Sequence, residues 1–223
     1  MTSLDQSASL RLRLKSATKD LHAQVESHLD LDGAVRSRSD YRFILETLWG
    51  FYHPIENALE RIDWKGIDIS IERRRKLHWL EADLVSVGSS PNAAESRGEC
   101  AFIPTLDDFA DGLGALYVLE GSTLGGQLIL RTLSPRLAIS SRDGGRFFAS
   151  YGNDTSAMWR SYLTVIERFS RSADIAASIE RRAYDTFLAF DRWFVDSKSR
   201  TSACRGSAKQ DSAIQPREEH HVP

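Results

Sequence analysis

The sequence predicts an all-α fold, and three observations carry that prediction. Apolar residues recur at spacings of three and four along most of the chain, the stripe of an amphipathic helix. No run alternates strictly between apolar and polar residues around a hairpin turn, so a sheet has no signal. The six prolines stand mainly as punctuation, and only Pro54 interrupts an apolar-periodic stretch, where it predicts a kink.

Each element has its own signal. Leu10, Leu14, Ala17, Leu21, Val25 and Leu29 form one stripe of a first helix. Ser39 and Asp40 open a second, whose inner face is Tyr41, Ile44, Leu48, Phe51, Ile55, Ala58 and Ile62. Ser70 caps a third, which runs through Leu77, Leu80 and Leu84 to a stop at Gly88. Ser89 to Cys100 reads as loop. A capping box, Thr105 to Asp108, follows Pro104 and starts a fourth helix, which runs to about Leu133 and is closed by Pro135. After a linker bearing Gly144 and Gly145, Asp154 caps a fifth helix to about Ser170, and a sixth spans roughly Asp174 to Val195. Residues 1–196 are thus expected to form one helical domain, and the polar stretch 197–223 a flexible tail.

Composition narrows the function. With 223 residues, one domain is the expectation, possibly two small ones. The net charge of −2 gives no global attraction to nucleic acid or an anionic membrane, so any basic site must be local. Two cysteines, Cys100 and Cys204, far apart and without a CxxC, exclude a disulfide scaffold and fit a reducing cytoplasm. No apolar run is expected to span a membrane, and the polar opening MTSLDQSAS does not resemble a signal peptide.

Motifs narrow it further. The sequence has no GxxxxGK, HExxH or GxSxG. Glu precedes a histidine by three residues only at Glu218–His221, which argues against a ferritin-like di-iron centre. His28, His53 and His78 have no partner at metal-ligand spacing, and His220 and His221 lie in the polar tail.

Two constellations remain. On the first helix, His22 falls at the edge of the apolar stripe, with Lys15, Lys19 and Glu26 continuing along the same flank. Such a histidine is by itself an ordinary half-buried residue on an amphipathic helix. In the fourth helix, Gly112, Gly114, Gly121, Gly125 and Gly126 fall within fifteen residues. Each interior glycine costs about 1 kcal/mol against alanine, so the set forfeits ~5 kcal/mol of helix stability and requires a reason. Gly114, Gly121 and Gly125 share one face, a strip of bare backbone suited either to a close helix crossing or to a ligand. Taken together, the two features suggest a flat ligand between helices. A haem meets the demands: imidazole for iron, a slot for the macrocycle and cations for propionates.

These segments carry a resemblance. Leu14 to Glu26, LKSATKDLHAQVE, resembles the proximal helix of haem oxygenases. Gly114 to Gln127, GALYVLEGSTLGGQ, is similar to their glycine-rich distal helix, in a Glu-Gly-Ser form like that of bacterial members found alongside bacterial phytochromes. The similarity spans approximately residues 8 to 195, with both motifs in order.

The resemblance implies a haem-oxygenase-like bundle with a haem slot between the proximal and distal helices. It implies oxidative opening of haem to biliverdin with release of CO and ferrous iron, haem being cofactor and substrate, O2 the oxidant and a reductase or ferredoxin the external electron donor. A phytochrome receiving the bilin, or the use of haem iron, would be the destination, in the cytoplasm. By residue, His22 would be the iron ligand, Glu26 its hydrogen-bond partner, and Lys15 and Lys19 the cations at the haem edge. Gly121 and Gly125 would flank bound oxygen, with Gly126 beside them. Arg160 would meet a propionate and Phe187 would pack on the macrocycle, although a core aromatic is the plainer reading of Phe187. Ser122 stands where mammalian members carry an aspartate, so its hydroxyl, backbone carbonyls and water would have to replace that group. Two alternatives share some of these features: a haem carrier or sensor without turnover, and a thiaminase-like helical enzyme without an axial histidine. A pure interaction module would bind no haem.

Overall fold

A computed structural model describes residues 9–28, 35–96 and 98–211. In these residues the chain forms α1 (Leu10–His28), α2 (Arg38–Glu60), α3 (Leu77–Ser86), α4 (Pro91–Glu95) and α5 (Phe109–Gly121). There follow α6 (Thr123–Leu137), α7 (Arg146–Ala149), α8 (Thr155–Glu167) and α9 (Ala173–Asp211). No strand occurs among the described residues, where Ser140 makes only isolated bridges to Asp143 and Gly144. The all-α expectation holds.

Several boundaries move for identifiable reasons. Ser37, not Ser39, caps α2: its hydroxyl accepts the Asp40 amide while the Asp40 carboxylate accepts the Ser37 amide, a complete capping box. The helix then continues through Pro54 and stops before Ile62, which is still buried. Ser70 serves the 3₁₀ turn Glu72–Arg74 rather than α3, which begins at Leu77. The stretch expected to be loop holds α4, capped by Ser90. Asp108 alone caps α5, accepting the Ala110 and Asp111 amides, so no box involving Thr105 forms. Pro135 lies within the last turn of α6, and Ala138, in the left-handed region (φ 52°), ends that helix. Asp154 precedes α8 without a side-chain cap. The polar segment from Ser197, expected to be a flexible tail, continues α9 to Asp211. Residues 212–223 lie outside the described residues, as does Leu29 of the predicted first stripe.

The bundle is organised around α9, which packs on both α5 and α1. Gly114 makes the α5–α9 crossing possible, because a Cβ there would stand 2.5 Å from the Ile179 carbonyl oxygen. Gly50 plays the same part on α2, under the Trp193 ring of α9 and the Gly98 carbonyl. Buried aromatic tips find partners: Tyr162 donates to the Leu113 carbonyl (2.8 Å), Trp193 to that of Thr47 (2.8 Å) and Tyr41 to that of Gly144 (2.6 Å).

One remote cap fixes the short α7 against α6 and α3. The four-residue α7 has no side-chain cap of its own. Instead Asp83, fully buried on α3, accepts the Arg146 amide at 2.9 Å and the Phe147 amide at 2.8 Å. Asp83→Ala would leave two amides without their acceptor and is expected to lower stability by about 2 kcal/mol. Urea unfolding measures this, and a midpoint equal to the parent's would remove the capping role.

Candidate active site

The flank of α1 that carries Lys15, Lys19, His22 and Glu26 is exposed, as residues at spacings of four, three and four share one face. Leu10, Leu14, Leu21 and Val25 are buried beneath it. Ala17, expected in the core stripe, is exposed; Thr18 takes the inner position, its hydroxyl satisfied by the Leu14 carbonyl at 2.8 Å. The His22 side chain is 52% exposed. Its ring meets Phe187 of α9 edge-on, with centroids 5.8 Å apart and planes at 69°. Phe187 is itself buried, so a core aromatic and a neighbour of the imidazole prove to be the same residue. The Glu26 carboxylate lies 3.5 Å from His22 Nδ1. An acceptor on that side favours the proton on Nδ1 and leaves the Nε2 lone pair available to a metal.

The glycines of α5 and α6 separate into two groups. Gly112 is filled by Trp64 and Ile62, and Gly114 by α9, so side chains are excluded there by packing. Gly126, expected at the haem, is also required by packing: a Cβ would stand 2.5 Å from the Phe148 carbonyl oxygen of α7. Gly121 and Gly125 differ. A Cβ at Gly121 would meet only the Trp159 ring, at 3.9 Å, and one at Gly125 would meet nothing within 4 Å. The bare strip is therefore shorter than the sequence suggested, and Gly114 is not part of it.

The two halves approach each other near Tyr117. Its hydroxyl meets Thr18 of α1, and burial, the larger influence, raises its pKa against that contact. Thr18 precedes His22 by four residues and Tyr117 precedes Gly121 by four, so each lies one turn, about 6 Å of axial rise, from the shared contact. Beyond Tyr117 the aromatic packing continues through Trp159 to Tyr162. Arg160, on α8, is exposed, and its carbonyl accepts from the Thr164 hydroxyl at 3.0 Å.

The helix breaks at Ser122, between α5 and α6. Ser122 donates to the Leu119 carbonyl (2.9 Å) and Thr123 to that of Glu120 (2.7 Å), local hydroxyl bonds that compete with the helical ladder at the break. With its one proton committed, Ser122 Oγ accepts from the Tyr52 hydroxyl at 3.0 Å. The Ser122 hydroxyl, assigned to oxygen chemistry by resemblance, is thus tied to the bend and to α2.

Sequence reasoning missed the charged cluster behind this bend. Glu120 is fully buried, and its carboxylate receives Arg74 Nη1 at 2.5 Å, Lys76 Nζ at 2.6 Å and the Tyr151 hydroxyl at 2.8 Å. Arg74 also reaches Ser161 Oγ and the Met158 carbonyl of α8. Burial first, and then Glu120, push the Tyr151 hydroxyl above its ordinary range. Nearby, Glu56 accepts the Lys76 and Leu77 amides, and burial raises its pKa despite them. One signal was available: Glu120 is the only charge between Asp111 and Arg131. That same apolar stretch, Phe109–Leu137, is long enough to cross a membrane by length and composition. Half of its most apolar window is buried within the protein, which together with the ion-paired Glu120 marks a core helix pair.

The residues present fit a flat, metal-bearing ligand: an imidazole with an available nitrogen, and backbone at Gly125 where a side chain would otherwise fill open space. A family model described as Heme oxygenase matches residues 8–196. The chain is 22% identical over 179 residues to Heme oxygenase PigA of Pseudomonas aeruginosa, covering 80% of this chain and 87% of that one. The NO- and CO-bound haem oxygenase of Neisseria meningitidis matches with a TM-score of 0.68 at 16% identity, over 86% of this chain and 92% of that one. Haem oxygenase-1 from the cyanobacterium Synechocystis sp., in complex with haem, gives 0.64 at 16% identity, over 93% and 100%. At such identities the structural likenesses speak for the fold.

Proposed function

The chain belongs to the haem oxygenase family, which makes it a haem-degrading oxidoreductase, and on that premise we propose that it opens haem to biliverdin with release of CO and ferrous iron. The observation that carries the proposal is the pairing of a half-exposed His22 with the side-chain-free, open surface at Gly125. His22 would hold the iron through Nε2, with Glu26, 3.5 Å from Nδ1, holding the ring's tautomer. Phe187 limits the swing of the imidazole by meeting its ring at the edge. Gly121 and Gly125 leave room beside the reacting face, and Lys15, Lys19 and Arg160 supply exposed cations for the propionates. Haem brings the oxygen chemistry when bound; the protein orients it. O2 is the oxidant, and the electrons come from a reductase or ferredoxin. The Glu-Gly-Ser form of the distal motif supports a phytochrome as the recipient of the bilin, and the buried free thiol of Cys100 accords with the cytoplasm.

Aerobic turnover tests this. Haemin is expected to give a Soret band that decays under a reductase system as a green pigment with the mass of biliverdin forms. A Soret band that persists would make the chain a carrier and defeat the proposal.

The donor is proposed to dock beside Lys15 and Lys19 through an acidic face. Lys15→Glu with Lys19→Glu is expected to slow reduction by the protein donor about tenfold at low ionic strength. The parent rate should fall as salt rises from ~0.01 to ~0.3 M, and the variant's should not. Stopped-flow rates that are identical for the two chains at low salt would remove this docking site.

A further inference from the structure

We propose that Glu120 is a positioning residue that fixes how α5 meets α6 at the Ser122 break and so determines which edge of the macrocycle faces the Gly121–Gly125 strip. The inference rests on the haem-opening reading above and extends it to a residue that does not touch the site.

The argument starts from where Glu120 stands. It is the last residue before Gly121, and its backbone carbonyl accepts Thr123 Oγ1 across the break. A segment containing Gly121, Gly125 and Gly126 is easily bent, since glycine restrains the backbone least. Something must therefore select one angle, and the local bonds of Ser122 and Thr123 close only within the same turn.

The Glu120 carboxylate supplies the long-range hold. Arg74 and Lys76, both buried, converge on its two oxygens from the segment that leads into α3. Arg74 continues to Ser161 and Met158 on α8, and Tyr151 reaches Glu120 from the turn before α8. Lys76 Nζ also donates to the Arg74 carbonyl and lies over the Tyr151 ring. Two cations on one carboxylate in a water-poor setting form a directional joint, because charge-assisted bonds there are short and costly to leave unmade. On the other side of the bend, Tyr52 holds Ser122 and Gln127 donates to the Gly152 carbonyl at 2.7 Å. Glu120 is thus the one charged residue of α5 beyond Asp111, and it fastens the end of α5 to the Arg74–Lys76 segment and to Tyr151, and through Arg74 to α8.

Glu120→Gln preserves shape and removes the charge. In the haem-free protein, amide exchange over residues 118–128 is expected to accelerate about tenfold while residues 179–183 of α9 keep the parent rate. In the haemin-loaded protein, the proportions of the biliverdin isomers are expected to change, a readout that general loss of stability does not move. Unchanged exchange, or changed exchange with unchanged isomer proportions, overturns the proposal. If Glu120→Gln fails to fold, Tyr151→Phe removes one hydrogen bond from the same carboxylate, and unchanged isomer proportions in that variant overturn it equally. A parent that binds haemin without opening it fails the functional reading instead, and exchange in the haem-free protein still decides whether Glu120 holds the bend.

Discussion

His22→Ala is expected to abolish the Soret signature of the haemin complex and turnover with it, while leaving the fold intact. Its side chain is 52% exposed, so truncation opens no core cavity, and the change in stability should stay within about 0.5 kcal/mol. The loss falls on the ligand: with the imidazole gone, Glu26 has no ring to orient and no second imidazole stands on that flank of α1. Haemin affinity should weaken by at least about tenfold, or ~1.4 kcal/mol. Added imidazole should restore the spectrum by occupying the vacated position. A variant that retains the parent's Soret band would exclude His22 as the ligand.

Gly125 and Gly126, neighbours in sequence, are expected to respond in opposite ways. Gly125→Phe starts from a position where a Cβ meets nothing within 4 Å, so the fold is expected to tolerate it while the ring covers the proposed haem face. Haemin binding is expected to be lost in that variant. The milder Gly125→Ala should raise helix stability by up to about 1 kcal/mol. Gly126→Ala forces a methyl to within 2.5 Å of the Phe148 carbonyl, backbone that cannot swing aside. It is expected to destabilise by ~1–3 kcal/mol, as overpacking does. Thermal melts of the haem-free proteins beside haemin titrations separate the two effects. If Gly125→Phe binds haemin as the parent does, the slot is elsewhere.

The sequence made the helices legible because amphipathic periodicity is a local property, readable wherever one face is buried. It did not fix their ends where caps compete: Ser37 and Ser39 both suit the start of α2, and only the reciprocal bond with Asp40 selects Ser37. The glycine-rich helix announced itself by its energetic cost, but cost alone does not say what each glycine faces. Gly114 and Gly126 answer to Ile179 and Phe148, partners dozens of residues apart or on another helix, so packing and binding roles separated only in three dimensions. The Glu120 cluster escaped for the same reason. Arg74 and Lys76 sit in a basic run that reads as solvated surface, and the carboxylate that buries them lies more than forty residues downstream.

The division of the glycines also supplies a rule for judging distant relatives. Under drift, Gly114 and Gly126 are kept by any descendant that must fold, whatever it does. On the function proposed above, Gly121 and Gly125 are kept only while haem must fit beside them. A paralogue that preserves the first pair and has admitted side chains at the second has retained the architecture and abandoned the chemistry.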